Sequence, residues 1–239
     1  MVAEKATFLA GVKKAQTVNK INSAIIFGES GVGKTILAAS ADEIEDYSPV
    51  LIVDIEGSAA GVGRMYPGVD LITADTHQKL ELIKNELLTK DHGYKTVIFD
   101  TLNVAQTRAE KVFRAANPSN KFGVWSDLKD WTMDFVRSMH HADFMAIFIA
   151  HPQVDKDENS GKMTTTVKLA GSSRTDVPTV PDLIGYLTFE KDDEGELVRV
   201  LQVGRSTSVV TKNRFGLEDK LYEPTIRSLQ QAIIDAQKE

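Results

Sequence analysis

The sequence predicts an α/β fold: a mostly parallel β-sheet with helices on both faces and a C-terminal antiparallel extension. Three observations lead there. Short apolar runs alternate with segments of helical period. The runs are continuous rather than alternating, which suits strands covered on both faces. Late in the chain the pattern changes to hairpin signals.

The elements follow in order. Ala24–Phe27, Val50–Ile55, Leu71–Thr73, Thr96–Phe99 and Phe144–Ala150 read as parallel strands. Thr35–Ala41 reads as a helix after a glycine-rich turn. Thr76–Leu88 places Leu80, Ile83 and Leu87 on one face, with Asp75 and Gln78 spaced as a capping box. A helix after Asp100 carries Arg108, Lys111 and Arg114 on a solvated face. Trp125–His141 places Leu128, Trp131, Phe135 and Met139 on one face, so Phe113, Trp125, Trp131 and Phe135 read as packing residues. Pro152–Pro181 is polar, rich in Thr and Ser and without period, and reads as a long functional loop. Leu187–Glu190 and Leu197–Val203 flank the turn Lys191–Glu196, Val209–Lys212 reads as a third antiparallel strand, and Ile226–Gln237 as a closing helix. Residues 1–22 are a lead-in, and 23–239 read as one domain.

Composition narrows the function. With 239 residues, 42% hydrophobic and 26% charged, the chain can bury a sizeable core. It has no cysteine, so a disulfide framework, a cysteine zinc site and a cysteine nucleophile are excluded. No run approaches a membrane span and Met1–Lys14 carries no signal-like stretch, so a cytoplasmic protein is expected. The net charge of −6 argues against a generally basic nucleic-acid coat but leaves room for a local basic channel.

One motif is specific. Gly28-Glu29-Ser30-Gly31-Val32-Gly33-Lys34-Thr35 fits G-x-x-x-x-G-K-[ST] in full, between an apolar strand and a helix. The glycines let the backbone wrap a polyphosphate and turn its amides inward. Lys34 would reach the β- and γ-phosphates of ATP, and Thr35 would ligate Mg²⁺. Asp100, at the end of the Thr96–Phe99 strand, would hold the same ion through its water shell.

Hydrolysis also needs a base to orient water. Thr101 follows Asp100, so no acid stands there. Glu56 is the candidate, because parallel strands deliver their C-terminal ends to one edge of the sheet. Asp54 is a competitor, although it sits inside its strand rather than at the tip. His151 ends its strand at the same edge and could hydrogen-bond the γ-phosphate; a structural histidine is the alternative.

Together GESGVGKT, the D-x-E-G strand end at Asp54–Gly57, VIFD at Val97–Asp100, IFIAH at Ile147–His151 and the triplet Lys212-Asn213-Arg214 resemble the RecA-type recombinases and ATPases. With the long Thr/Ser-rich loop and no added N-terminal domain, the chain looks most like the phage-encoded single-strand annealing ATPases. The resemblance spans about Ile21 to Phe215. It implies a RecA-like core, with Glu56 as the water-activating residue and His151 as the γ-phosphate sensor. It also implies a second DNA-binding loop at Pro152–Pro181, and Lys212 and Arg214 reaching the ATP of a neighbouring subunit. That last role requires a homo-oligomer, ring or filament. A single-strand DNA-binding protein is a further implied partner. Phe8-Leu9-Ala10-Gly11 partly matches the family's F-x-x-A assembly segment, with Gly at the fourth place.

For nucleic acid, Lys162, Lys168 and Arg174 lie in a stretch without acids, as do Arg205, Lys212 and Arg214. Against this, Asp155, Asp157 and Glu158 open the loop, and it has no aromatic for base stacking. A plain surface loop is the alternative. The expected function is thus an ATP- and Mg²⁺-dependent ATPase that binds single-stranded DNA. A P-loop small-molecule kinase, a partner-gated or helicase-loading module and a hexameric helicase are the rivals.

Overall fold

The structure, a computed structural model, describes residues 20–238 apart from 157 and 159. In chain order the first half contains β1 (Ser23–Phe27), α1 (Lys34–Ala39), β2 (Val50–Asp54), β3 (Asp70–Thr73), α2 (His77–Thr89), β4 (Thr96–Asp100) and α3 (Leu102–Ala116). There follow α4 (Lys121–His140), β5 (Met145–Ala150), β6 (Pro152–Lys156), β7 (Met163–Val167) and the short α5 (Ser173–Asp176). The chain ends with β8 (Leu183–Lys191), β9 (Leu197–Gln202), β10 (Lys212–Asn213), β11 (Lys220–Tyr222) and α6 (Ile226–Ala236). Three 3-10 turns interleave, at Ser40–Glu43, Ala59–Arg64 and Val177–Thr179.

Among the described residues, nine strands form one sheet in the order β11-β9-β8-β1-β5-β4-β2-β3, with β10 also on β8. From β8 to β3 the pairs are parallel; β9, β10 and β11 are antiparallel. Every residue of β1, β2, β4 and β5 is buried. The period-2 alternation divides them between two cores. Ile26, Ile52, Ile98 and Ile147 meet Leu37 of α1 and Ile226, Leu229 and Ile233 of α6. Ile25, Phe27, Val97, Phe99 and Phe148 meet α2, α3 and α4 on the other face. The doubly covered sheet predicted from the apolar runs is present.

Several local expectations are corrected. Helix α2 is capped by Thr76, whose hydroxyl accepts from the Lys79 amide at 3.2 Å, so the Asp75/Gln78 box does not form. Pro152–Pro181 is not a structureless loop. Its Thr-rich stretch pairs as the β6–β7 hairpin, from Pro152↔Val167 to Lys156↔Met163, followed by short helical turns. The consecutive β-branched Thr164, Thr165 and Thr166 carried a strand signal that the scarcity of large apolar residues concealed. Strand β8 begins at Leu183, four residues before the predicted start, because those residues pair in parallel with β1. Of the stretch Val209–Lys212, only Lys212 enters a strand, while Val209 makes a single bridge to Thr165. Strand β11 was not anticipated. The segment Phe8–Gly11 lies outside the described residues, whereas Ile21, late in the lead-in, is buried in the α1/α6 core.

The aromatic expectation holds in part. Trp131 stacks on Phe135 at 5.5 Å and donates to Glu81, and Phe135 packs edge-on against Phe99. Trp125 is 41% exposed, with the Arg114 guanidinium 4.9 Å from its ring centre. Phe122, one turn earlier on α4, is 90% exposed.

Phe99 is fully buried between Phe135 and Phe148, directly beneath Asp100. Phe99→Ala should cost about 3–5 kcal/mol of unfolding free energy in urea titrations. Leu82→Ala, at a side chain 67% exposed, should stay within about 0.5 kcal/mol. Equal effects would refute this placement of the core.

Candidate active site

The loop Gly28–Thr35 leaves the end of β1 and turns into α1, and its backbone explains its glycines. A Cβ on Gly28 would lie 2.2 Å from the Leu187 carbonyl oxygen of β8, so only glycine lets the loop leave the sheet there. Gly31 and Gly33 have φ of 80° and 93°, in the left-handed region that favours glycine. Between them Val32 is buried and anchors the loop to the α1/α6 core, while Glu29 and Ser30 are exposed.

Lys34 is buried, and its ammonium donates to the Gly28 and Glu29 carbonyls at 2.9 and 2.8 Å. Burial pulls its pKa below the usual lysine value, opposed by the negative charges of Asp100, Glu56 and Glu29. Asp100 ends β4, 2% exposed, and accepts the Thr35 hydroxyl at 2.7 Å. Burial raises its pKa above the usual carboxylate value; the Thr35 hydrogen bond and Lys34 pull the other way, and Glu56 and Asp54 add to the rise. Both Walker-type residues therefore sit where the charged form is costly until a counter-charge arrives.

The carboxylates of the β2 end divide their work. Asp54 is 4% exposed and accepts the amides of Gly57 at 2.7 Å, Ser58 at 3.2 Å and Ala59 at 3.4 Å. It fixes the turn and is not free to act as a base. Glu56, carried on that turn, has its own amide bonded to the Asp100 carbonyl at 2.9 Å. Its carboxylate faces the site and meets His151 Nε2 at 3.2 Å through both oxygens. His151 stands one residue past β5, so the two side chains meet across β4 at the sheet edge.

Sequence reasoning missed two residues of α3. Asn103 accepts the His151 amide at 3.1 Å. Gln106, 3% exposed, accepts the Ala170 amide at 2.7 Å and donates to Thr132 at 3.0 Å. One turn apart on the helix that follows Asp100, they hold both ends of the β6–β7 segment. Their i, i+3 spacing beside the strand end was a visible signal.

The site residues surround a cavity of about 420 Å³ between the loop, Glu56, Ser58, Gly61, Val62, Asp100 and His151. A second cavity of about 550 Å³ adjoins it and shares Glu56 and His151, and is lined further by Gln153, Lys168 and Arg174. The Glu56–His151 pair is thus a common wall. The predicted basic residues do not form one patch. Lys162 is exposed before β7 and Lys168 after it, roughly 20 Å apart along the strand. Arg174 is paired with Asp155 at 2.8 Å. Trp125 approaches the same segment: a Cβ on Gly171 would lie 3.8 Å from its ring.

Lys212 and Arg214 lie at the opposite end of the sheet. Arg214 pairs with Asp182 at 2.9 Å, and Asp182 accepts the Asn22 amide at the start of β1. Lys212 donates to the Pro178 and Thr179 carbonyls, and burial first, then Arg214, lowers its pKa to about 8. Neither reaches the glycine loop of its own chain.

The residues present fit a nucleoside triphosphate with Mg²⁺. The loop offers amides, a buried ammonium and the hard oxygens of Thr35 and Asp100, and the hydroxyl of Thr101, which also lines the cavity, is buried without a partner. Among the described residues no cluster of three His, Asp or Glu side chains could hold a metal. No helix among them is long and apolar enough to cross a membrane.

The model of the AAA domain family matches residues 20–215. No curated protein matches. Among solved structures, the crystal structure of the RadB recombinase superposes with a TM-score of 0.53 at 16% identity, over 84% of this chain and 85% of that one. The flagellar accessory protein FlaH from Methanocaldococcus jannaschii gives a TM-score of 0.45 at 12% identity, over 85% and 86% of the two chains. An ATPase of a bacterial type III secretion system gives 0.46 at 14% identity, over 70% of this chain and 51% of that one. With its complete phosphate-binding loop, buried Lys34 and Asp100 and RecA-like sheet, the chain belongs to the AAA domain family and is a P-loop ATPase.

Proposed function

We propose that the protein is an ATP- and Mg²⁺-dependent ATPase that binds single-stranded DNA and promotes annealing or strand exchange in phage recombination. The observation that carries this reading is the shared wall: Glu56 and His151 face the nucleotide cavity on one side and the Lys168/Arg174 cavity on the other.

The residues take these roles. The loop amides and Lys34 bind the phosphates. Thr35 and Asp100 would hold Mg²⁺, which neutralises phosphate charge when bound. Glu56 orients and deprotonates the attacking water, which requires its release from His151. A γ-phosphate competes for His151 Nε2 and so frees Glu56, while His151 carries the change into β6. Asn103 and Gln106 keep that segment in register with α3. Lys212 or Arg214 of a neighbouring subunit would stabilise transition-state charge, as the RecA-type resemblance implies. Their distance from their own chain's loop makes a homo-oligomer a requirement of the mechanism. The exposed edge strand β3, with Leu71 and Ile72 at 44% and 37% exposure, supports assembly through that side.

For DNA, Lys168 and Arg174 would contact phosphates, with Lys162 at the hairpin turn. The exposed Trp125 and Phe122 supply the stacking surface that the loop itself lacks. A second reading, a partner-gated or helicase-loading ATPase, is favoured by one observation: Arg174 is already neutralised by Asp155, which weakens the basic surface.

The first measurement is ATP hydrolysis with and without single-stranded DNA, with Lys34→Ala as the blank. Stimulation by DNA, together with a loss of about 10²–10⁴-fold in Glu56→Gln, is expected. Hydrolysis indifferent to DNA would favour the partner-gated reading. Asp54→Asn should lower kcat about tenfold while changing nucleotide Kd less than about threefold, because it acts only through the Glu56 turn. An equal loss in Kd would place Asp54 in binding instead. Lys168→Ala with Arg174→Ala should weaken DNA binding and leave ATP affinity intact. Trp125→Ala should cost about 1–3 kcal/mol of DNA affinity, and unchanged affinity would remove the stacking role.

A further inference from the structure

A second cation stands beside the phosphate loop. Arg199, on β9, lies opposite Phe189 in the β8–β9 hairpin, and its side chain turns to the α1 side of the sheet. A Cβ on Gly33 would lie 3.1 Å from Arg199 Nη1, so the guanidinium rests against the loop just before Lys34.

This arginine is held deliberately. Glu223 accepts the Arg199 amide at 2.8 Å, and its other oxygen accepts Nη2 at 3.2 Å and Nε at 3.4 Å. The Glu223 amide returns to the Arg199 carbonyl at 2.8 Å. Among the described non-glycine residues, Glu223 alone has a positive φ, 42°, and it precedes Pro224, where that conformation is further disfavoured. Strain of this kind persists where the surroundings demand it, and here it aims a carboxylate at Arg199. Arg199 Nη1, the nitrogen nearest the loop, donates no hydrogen bond to a described residue. The side chain is 28% exposed.

The nucleotide cavity is lined in part by Gly33, the residue against which Arg199 rests. It runs from Glu56 and Asp100 past Ile36 to Gly61 and Val62. One turn beyond, Tyr66 closes on the Val62 carbonyl at 3.0 Å and is half-buried against the core that includes Leu37. Burial raises the pKa of its hydroxyl, Glu43 adds to the rise, and Arg199 opposes it, so the two side chains share one electrostatic neighbourhood.

We propose that Arg199, aimed by Glu223, and Tyr66 form the nucleoside end of the pocket and hold the base of the bound nucleotide. The phosphates are already served by the loop amides and Lys34. The guanidinium and the phenol are flat groups suited to a π-face, with Nη1 left to donate to a base or ribose acceptor. Because Arg199 sits on β9, base binding also fixes the hairpin against the loop. This inference rests on the nucleotide-binding reading of the loop.

The test is competition binding on the full chain with ATP, ADP and inorganic tripolyphosphate in Mg²⁺, for the native protein, Arg199→Ala and Glu223→Gln. Arg199→Ala should raise the Kd of ATP and ADP together by roughly 3- to 30-fold and leave that of tripolyphosphate within about twofold. Glu223→Gln, which keeps the shape but loosens the aim, should give the same pattern at smaller amplitude. Unchanged ATP and ADP affinity in Arg199→Ala would overturn the proposal. So would an equal loss for tripolyphosphate, which would place Arg199 on the phosphates. A native protein that binds tripolyphosphate but gains nothing from the nucleoside would overturn it too. Binding of none of the three would overturn the nucleotide reading itself.

Discussion

A buried ammonium and a buried carboxylate stand at the end of an otherwise apolar sheet, and much of the structure serves to hold them there. Lys34 and Asp100 are 7% and 2% exposed, above strands whose every side chain is buried. Taking such groups out of water is costly unless each polar atom finds a partner. The loop carbonyls satisfy Lys34 and the Thr35 hydroxyl satisfies Asp100. Burial nonetheless shifts both pKa values toward the neutral forms. A bound polyphosphate would supply the counter-charge for Lys34, and a divalent ion that for Asp100.

The surrounding elements follow from that demand. Four adjacent parallel strands put the loop, Glu56, Asp100 and His151 on one edge because parallel strands end together. Asp54, opposite Asp100 on the neighbouring strand, spends its charge on three amides and so presents Glu56 rather than competing with it. Helix α3 begins directly after Asp100, and its Asn103 and Gln106 extend the same rigid frame to both ends of the β6–β7 segment. The nucleotide cavity and its neighbour thus share Glu56 and His151 as a wall.

Much of this was legible in the residues. Continuous apolar runs gave β1, β2, β4 and β5 to within a residue, since burial on both faces leaves no room for polar alternation; β3 proved exposed, and the parallel start of β8 was missed. The glycine loop was legible because its chemistry tolerates few substitutes, and the placements of Glu56 and His151 followed from strand ends alone. The β6–β7 hairpin was not legible, because its side chains are small and polar and its pairing depends on a partner strand some ten residues away. The exposure of Trp125 was likewise hidden: helical periodicity names a face, and only the neighbours decide whether that face is covered.

By itself the sequence determined the fold class, the glycine-rich phosphate-loop motif, the strand that ends in Asp100 and the edge of the sheet where they meet. These depend on local pattern and on the rule that parallel strands share a direction. The tertiary structure showed why Asp54 is occupied while Glu56 faces the cavity and His151. Asp54 and Glu56 are two residues apart and alike in chemistry, but only Asp54 has backbone amides folded onto it. It decided equally that Arg174 meets Asp155, and that Arg199, about 165 residues from Gly33, rests against the loop. Such pairings are contacts across the chain, set by how sheets and turns pack in three dimensions, and no spacing along the sequence encodes them.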